Sequence, residues 1–184
     1  MPIPNVWPDG RSRLNRCVNN IAANRIAPGA AIQVNRFIEG TITGLNGQPR
    51  ACILDFRAST NDPNHHIRLP ASICKKLDEA SRKSPDRFVG LLAMHRRCGD
   101  NSHVLDCWII PTAVVMRMHA MLPEDSADQS HLRNIDIRWS REERKWHWYA
   151  PSRPAIQIDI TEHYAPWNLS AEEQQYIAEG IVDG

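Results

Sequence analysis

The sequence has no long hydrophobic run and almost no net charge. No apolar stretch approaches the roughly 18 to 20 residues of a membrane-spanning helix, and Met1–Asn5 lacks the charged-then-apolar layout of a secretory signal. The formal net charge is only +1, so nucleic-acid binding would depend on local basic patches rather than on a global excess. We therefore expect a cytoplasmic protein without membrane association.

The sequence also lacks the signs of a disulfide framework. Its five cysteines are odd in number, and Cys52, Cys74 and Cys107 lie inside apolar patterns, as reduced and buried thiols usually do. There is no nucleophile elbow and no glycine-rich phosphate loop, so nucleophilic catalysis has little support. With 184 residues, 42% of them hydrophobic and 23% charged, the chain fits one globular domain over residues 1–184.

Two apolar runs form the centre of the predicted structure. Phe88–Met94 and Val104–Ile110 are almost continuously apolar, which is typical of strands buried on both faces. The polar residues Cys98–Ser102 between them suit a tight reversal. We therefore predict a central antiparallel hairpin with three basic residues at its mouth, where they can face a ligand. These residues are His95, Arg96 and Arg97.

Periodicity and turn residues predict the remaining elements. Helices are expected at Arg11–Arg25, Ala71–Lys83, Thr112–Leu122 and from a Ser170/Glu173 capping box through Ile177. Strands are expected at Ala31–Ile38, Thr41–Leu45, Ala51–Phe56, His66–Leu69, His131–Trp139, Lys145–Tyr149 and Ala155–Ile160. Ala58–His65 is expected to be a loop, and Ser140–Arg144 a charged reversal. Together they predict an α+β fold, mainly antiparallel sheet with helices packed against it.

Two patterns could indicate metal chemistry. His95-x2-Cys98 and His103-x3-Cys107 place four possible zinc ligands on the two arms of the central hairpin. Glu143-Arg144-Lys145 matches the E-x-K tail of the metal-dependent restriction fold. The zinc spacing is loose, and the triplet lies in a charged hairpin tip with no apolar residues before it. We therefore expect no cofactor, and a metal-dependent nuclease or zinc enzyme is the alternative.

Nucleic-acid binding has broader support, from three segments. The first is the arginine-containing triplet after Met94, because guanidinium groups fit phosphate oxygens. The second is the aromatic and proline-rich segment Trp146–Pro154, and the third is a run of amides that suits base-edge readout. The predicted binding residues of the second segment are Tyr149, Pro151, Ser152, Arg153 and Pro154, followed by Ala155. Those of the third segment are Gln33, Asn35 and Arg36.

The first two segments resemble the sulfur-binding domains of modification-dependent restriction endonucleases. The shared features are a His-Arg pair and a Tyr-Pro loop, which in this chain follow a core strand and have the form Tyr-x-Pro-Ser-Arg-Pro, with Ala150 between the tyrosine and the proline. The resemblance implies recognition of phosphorothioate-modified DNA, with His95 and Arg96 as the polar wall of a sulfur pocket. Its apolar wall would be Tyr149, Pro151 and Pro154 or Ala155. For the polar wall, Arg97 is the alternative to Arg96. For the apolar wall, the loop Tyr164-Ala165-Pro166 is the alternative to the loop that begins at Tyr149.

We therefore expect a module that binds double-stranded DNA and does no chemistry itself, working with a nuclease partner in a defence system. Arg96, Arg97 and Arg153 are expected to contact phosphates. Besides the enzyme alternative, a third hypothesis is a protein-interaction module in which the tryptophan-rich segment is an exposed hot spot.

Overall fold

The structure consists of two β-sheets with a core between them and helices around them. A computed structural model describes residues 10–29, 37–43, 47–60, 66–69, 71–96, 103–122, 133–150 and 153–182. The helices are α1 (Gly10–Ile26), α2 (Ala71–Lys83), α3 (Thr112–Met121) and α4 (Ala171–Val182), with a 3-10 turn at Thr161–His163. The strands are β1 (Ile38–Thr43), β2 (Pro49–Thr60), β3 (His66–Leu69), β4 (Phe88–Arg96), β5 (Val104–Pro111), β6 (Arg133–Ser140), β7 (Lys145–Ala150), β8 (Arg153–Asp159) and β9 (Trp167–Asn168).

The larger sheet, sheet A, has the strand order β1-β2-β4-β5-β9. Adjacent strands in sheet A are antiparallel, with one exception. Strands β2 and β4 are parallel, and the chain connects them through β3 and α2. The smaller sheet, sheet B, has the order β3-β6-β7-β8 and is antiparallel throughout. The mainly antiparallel α+β fold predicted from the sequence is confirmed, in a single domain, although it contains two sheets rather than one.

Two hydrophobic cores separate the layers. The intersheet core lies between the inner faces of the two sheets and includes the buried faces of α2 and α3. The helix-side core lies between the other face of sheet A and the helices α1 and α4. Sheet A is therefore covered on both faces, which explains why β4 is apolar along nearly its whole length.

The central hairpin predicted at residues 88–111 is confirmed by β4 and β5. Its strands are antiparallel, and every residue from Val89 to His95 is buried. Strand β2 runs further than predicted, since Ser59 and Thr60 continue the parallel ladder beside His95 and Arg96. The expected loop at Ala58–His65 therefore begins as strand, because pairing with β4 overrides the local preference of polar residues.

The end of α1 lies directly against β1. A Cβ atom on Gly40 would overlap with the carbonyl oxygen of Ile26 and lie 2.8 Å from its carbonyl carbon. Only glycine lets the helix backbone approach the strand this closely. Gly40 therefore sets the distance between α1 and the edge of sheet A.

The predicted capping box at the start of α4 is confirmed. Ser170 Oγ accepts a hydrogen bond from the Glu173 backbone N–H at 3.1 Å, and Glu173 Oε2 accepts one from the Ser170 N–H at 2.9 Å. Glu173 also accepts a 2.8 Å hydrogen bond from Arg25 Nε, which connects α4 to α1. The two helices of the helix-side core are thus linked at the surface as well as by apolar packing.

Other predicted elements agree with the structure to within a few residues. Helix α1 matches Arg11–Arg25, α2 matches its predicted bounds, and β6, β7 and β8 form the predicted run of three strands. Most of the predicted strand Ala31–Ile38 lies outside the described residues. Among the helices that the structure describes, none is long and apolar enough to cross a membrane.

Candidate functional site

An arginine is held over a tyrosine on the outer face of sheet B. The side chains of Trp146, Trp148 and Ala150 belong to the intersheet core, so Tyr149 projects from the opposite face of β7. Tyr149 donates a 2.9 Å hydrogen bond to Asp136 Oδ2 on β6. The Arg138 guanidinium lies 4.6 Å from the centre of the Tyr149 ring and 4.0 Å from the same carboxylate oxygen.

This arrangement fixes the Arg138 side chain while leaving much of it accessible. Asp136 is 1% exposed and Tyr149 5% exposed, whereas the Arg138 side chain is 58% exposed. Burial, more than the hydrogen bond to Asp136, raises the pKa of Tyr149 to about 12, so its hydroxyl stays protonated and donates at neutral pH. We call Asp136, Arg138 and Tyr149 the arginine cluster.

Other acidic groups near the arginine cluster contact basic side chains. Glu143 lies 2.8 Å from His147 Nε2, and Asp159 lies 2.9 Å from Lys145 Nζ. The hydrogen bond from Lys145, with others from Thr161, holds the pKa of Asp159 below its usual range. Asp159 therefore stays ionised beside the cationic Lys145, which compensates its charge and lessens its repulsion of an anion near Arg138.

The edge strand β8 carries exposed residues next to this cluster. Gln157 is the register partner of Tyr149, and the β7–β8 register shifts between Tyr149 and Ala150, which pairs with Arg153. Arg153, Pro154, Ala155 and Gln157 are all exposed. The structure therefore places β8, which carries the predicted site residues Arg153, Pro154 and Ala155, beside the strand that carries Tyr149. Tyr149 itself is covered and offers little free apolar surface.

His95 lies elsewhere, inside the molecule. Its neighbours on alternate positions of β4, Leu91 and Ala93, belong to the intersheet core, so His95 projects toward that core. It is 4% exposed, and its Nδ1 atom lies 4.0 Å from Asp106 Oδ2 on β5. His95 is thus a residue of the strand rather than of an open hairpin mouth, because β4 pairs with both neighbours through Arg96.

The two halves of the predicted sulfur pocket therefore face different ways. His95 points into the space between the sheets, whereas Tyr149 points away from it on the far side of sheet B. Arg96 projects to the opposite face of sheet A from His95, because it follows Leu92 and Met94 of the helix-side core at alternate positions. His95, Arg96 and Tyr149 do not line one cavity.

The described members of the predicted zinc set do not converge either. Cys107 belongs to the helix-side core, on the face of sheet A opposite His95, and burial raises its pKa far above the usual thiol range. His103 is exposed, and its Nδ1 atom lies 2.7 Å from Gln174 Oε1. Among the described residues, no group of three or more His, Cys, Asp or Glu side chains could hold a metal ion.

The E-x-K triplet and the tryptophan-rich segment have clear structural positions. Glu143 and Arg144 lie in the turn between β6 and β7, as predicted, and Lys145 begins β7. Trp148 is fully buried in the intersheet core and Trp146 is half-buried. Among the tryptophans in the described part of the chain, the exposed one is Trp139 on β6, at 46%, so the segment predicted as a hot spot is largely internal.

Several predicted site residues lie outside the part of the chain that the structure describes. They are Gln33, Asn35, Arg36, Arg97, Cys98, Pro151 and Ser152.

Three residues of these clusters are not among those predicted from the sequence: Asp136, Arg138 and Asp106. Asp136 and Arg138 alternate with Ile135 and Ile137 in a strand that was predicted, so a two-residue period could have placed both on its polar face. Their contact with Tyr149 depends on the β6–β7 register, which a single strand does not reveal. Asp106 is the one carboxylate in the otherwise apolar run from Val104 to Ile110.

In comparisons with known proteins, no family model, no curated protein and no solved structure matches this chain.

Proposed function

We propose that this protein binds double-stranded DNA through the outer face of sheet B and its edge strand β8. Arg138 on that face and Arg153 on that edge contact backbone phosphates, and Gln157, the register partner of Tyr149, lies on the same face as the arginine cluster. The proposed surface keeps Arg153 from the sequence-based hypothesis and replaces the arginines of the hairpin mouth with Arg138.

The observation that carries the proposal is the fixed and exposed guanidinium of Arg138. An arginine stacked on an aromatic ring and oriented by a carboxylate loses less side-chain entropy when it binds a phosphate. Its planar group can make two parallel hydrogen bonds to phosphate oxygens. An arginine present only for solubility needs neither the ring nor the buried carboxylate.

The position of Arg153 supports a binding surface of more than one residue. It lies on an edge strand beside a register shift, and such irregularities are frequent at edges and next to functional sites, where they redirect side chains. With these two phosphate contacts, log affinity should fall against log salt with a slope of about −2.

Replacing Arg138 with alanine is expected to weaken binding of a duplex about tenfold, which corresponds to roughly 1.4 kcal/mol. The salt slope should become less steep by about 0.9, because one phosphate contact is lost. Fluorescence anisotropy of a labelled duplex, titrated at several salt concentrations, measures both quantities.

The matched control is Arg82→Ala on α2. Arg82 is also exposed and also paired with an aspartate, since it lies 2.7 Å from Asp78 Oδ2. It should leave both the affinity and the salt slope unchanged. Equal losses in the two variants, or wild-type protein that binds no duplex at low salt, would contradict the proposal.

The resemblance to sulfur-binding domains determines which duplexes to compare. Plain, methylated and phosphorothioate duplexes of one sequence should be titrated with the wild-type chain and with Arg138→Ala. A uniform loss across the three would make Arg138 a general phosphate contact. A loss confined to the phosphorothioate duplex would make this face specific for the modified backbone.

A further inference from the structure

Polar side chains replace apolar ones in one row of sheet A. Ser59 on β2, His95 on β4 and Asp106 on β5 are register neighbours, in that order across three adjacent strands. Register neighbours project to the same face, and for these residues it is the face toward the intersheet core. Their exposures are 5%, 4% and 2%. Burying three polar residues together is costly for the fold, so their presence calls for a functional explanation.

The acidic end of the row is fixed from a second direction. Tyr164 follows the 3-10 turn at Thr161–His163 and donates a 2.6 Å hydrogen bond to Asp106 Oδ1. The other oxygen, Oδ2, is the one that lies 4.0 Å from His95 Nδ1. Asp106 is therefore held with its second oxygen 4.0 Å from the imidazole nitrogen, on the side from which a carboxylate can orient a histidine. A separation somewhat longer than a hydrogen bond is common before substrate binds.

The row lies where ligands usually reach sheets of this kind. Strands β2 and β4 are parallel, and Ser59 and His95 are each one residue from the carboxyl ends of these strands. In sheets with parallel strands, sites commonly form just beyond those ends. Arg57 belongs to the same face of β2, and its side chain is 26% exposed, so this face of β2 is partly accessible two residues before Ser59.

The surroundings of the row favour an acyl group over a phosphate group. Arg57, the cation two residues from Ser59, is hydrogen-bonded to Asp55 at 2.6 Å and so is already compensated. Next to Asp106 on the same face is Trp108, which packs against Trp146 and Tyr164 with ring centres 5.0 and 5.6 Å apart. Aromatic side chains provide an apolar wall, which suits the hydrocarbon part of an ester.

We propose that Ser59, His95 and Asp106 form a site that hydrolyses carboxylic esters. Ser59 Oγ forms a bond to the ester carbonyl carbon while its proton passes to the imidazole of His95. The bond to the alcohol oxygen then breaks, and the alcohol leaves with that proton. Water, deprotonated by His95, attacks the acyl-serine, releases the carboxylic acid and regenerates Ser59. Asp106 is a positioning residue that orients His95, and Tyr164 holds Asp106.

The test is covalent labelling of the full chain with a fluorophosphonate probe, followed by intact mass measurement and peptide mapping. One adduct on Ser59 is expected, together with hydrolysis of p-nitrophenyl acetate. Ser59→Ala should lose the adduct and the hydrolysis, whereas the matched variant Ser81→Ala on α2 should keep both. A folded wild-type chain that takes up no probe, or an adduct that persists in Ser59→Ala, overturns the proposal.

Two further variants separate catalysis from structural effects. His95→Gln should lower the labelling rate at least a hundredfold in protein that melts as a cooperative unit. Asp106→Asn should lower kcat for p-nitrophenyl acetate with KM little changed, because the amide no longer orients the imidazole of His95. A variant that melts as a cooperative unit and keeps the wild-type kcat would remove Asp106 from the site. Since this site and the DNA surface lie on different sheets, either can fail without the other.

Discussion

Replacing Trp108 with alanine is expected to cost about 3 to 5 kcal/mol of unfolding free energy. Trp108 is fully buried at the middle of β5, and its ring packs edge-on against Trp146 and is tilted against Tyr164. Its removal leaves a cavity between the two sheets that neither sheet can close without breaking its own strand pairing. Because domains of this size are stable by roughly 5 to 15 kcal/mol, this loss is a large fraction of the total stability. Urea denaturation followed by circular dichroism measures the change.

Trp139→Ala is the matched control for this substitution. Trp139 contacts the same aromatic group through Trp146, at 5.3 Å between ring centres, but is 46% exposed. Its removal creates no closed cavity and should cost less than about 1 kcal/mol. Equal losses for the two tryptophans would mean that Trp108 is not at the centre of a core shared by both sheets.

Replacing Gly40 with alanine is expected to destabilise the protein by about 2 to 4 kcal/mol, as other overpacked sites do at the upper end. The added Cβ would overlap with the backbone of Ile26 at the end of α1. A side chain could rotate away, but backbone atoms of a helix cannot, so α1 has to separate from β1. The separation opens the helix-side core next to Ile38 and Ile42. A fall in melting temperature, measured by calorimetry, reports the effect.

Gly47→Ala distinguishes lack of space from loss of glycine's backbone freedom. Gly47 has a φ of 72° but no atom within 4 Å of an added Cβ, so the substitution strains only the local backbone. The expected cost is about 1 kcal/mol. If Gly40→Ala costs no more than Gly47→Ala, then α1 does not rest on β1 as described.

The sequence was a good guide to elements whose evidence is local. The uninterrupted apolar run from Phe88 marks a strand buried on both faces, and both faces of β4 are indeed covered. The Ser170/Glu173 pair marks the start of α4 because both partners lie within one helical turn. In each case, the residues that stabilise the element are close to it in sequence.

The partners of each strand cannot be predicted from local sequence evidence. Nothing in the sequence of β2 shows that it pairs in parallel with β4 or that β3 belongs to a second sheet. The sequence alone therefore predicts a loop at Ser59 and an open hairpin mouth at His95, although β4 continues through Arg96.

The candidate surfaces depend on cross-strand contacts for the same reason. Tyr149 was recognised as a functional candidate, but its partners Asp136 and Arg138 come from β6 and were not identified. His95 was also recognised, whereas Asp106 became its neighbour only through the β4–β5 register. Single residue types could be selected from the sequence, and their combination into sites required the sheets.

The most direct test of DNA binding by sheet B is an NMR titration of the isotope-labelled chain with a short duplex. Amide and arginine side-chain signals identify which face meets the DNA. The proposal predicts that the largest shifts occur at Arg138, Tyr149, Arg153 and Gln157, with α1 and α4 unaffected. Shifts centred on those helices, or no shifts at any duplex concentration, would contradict it.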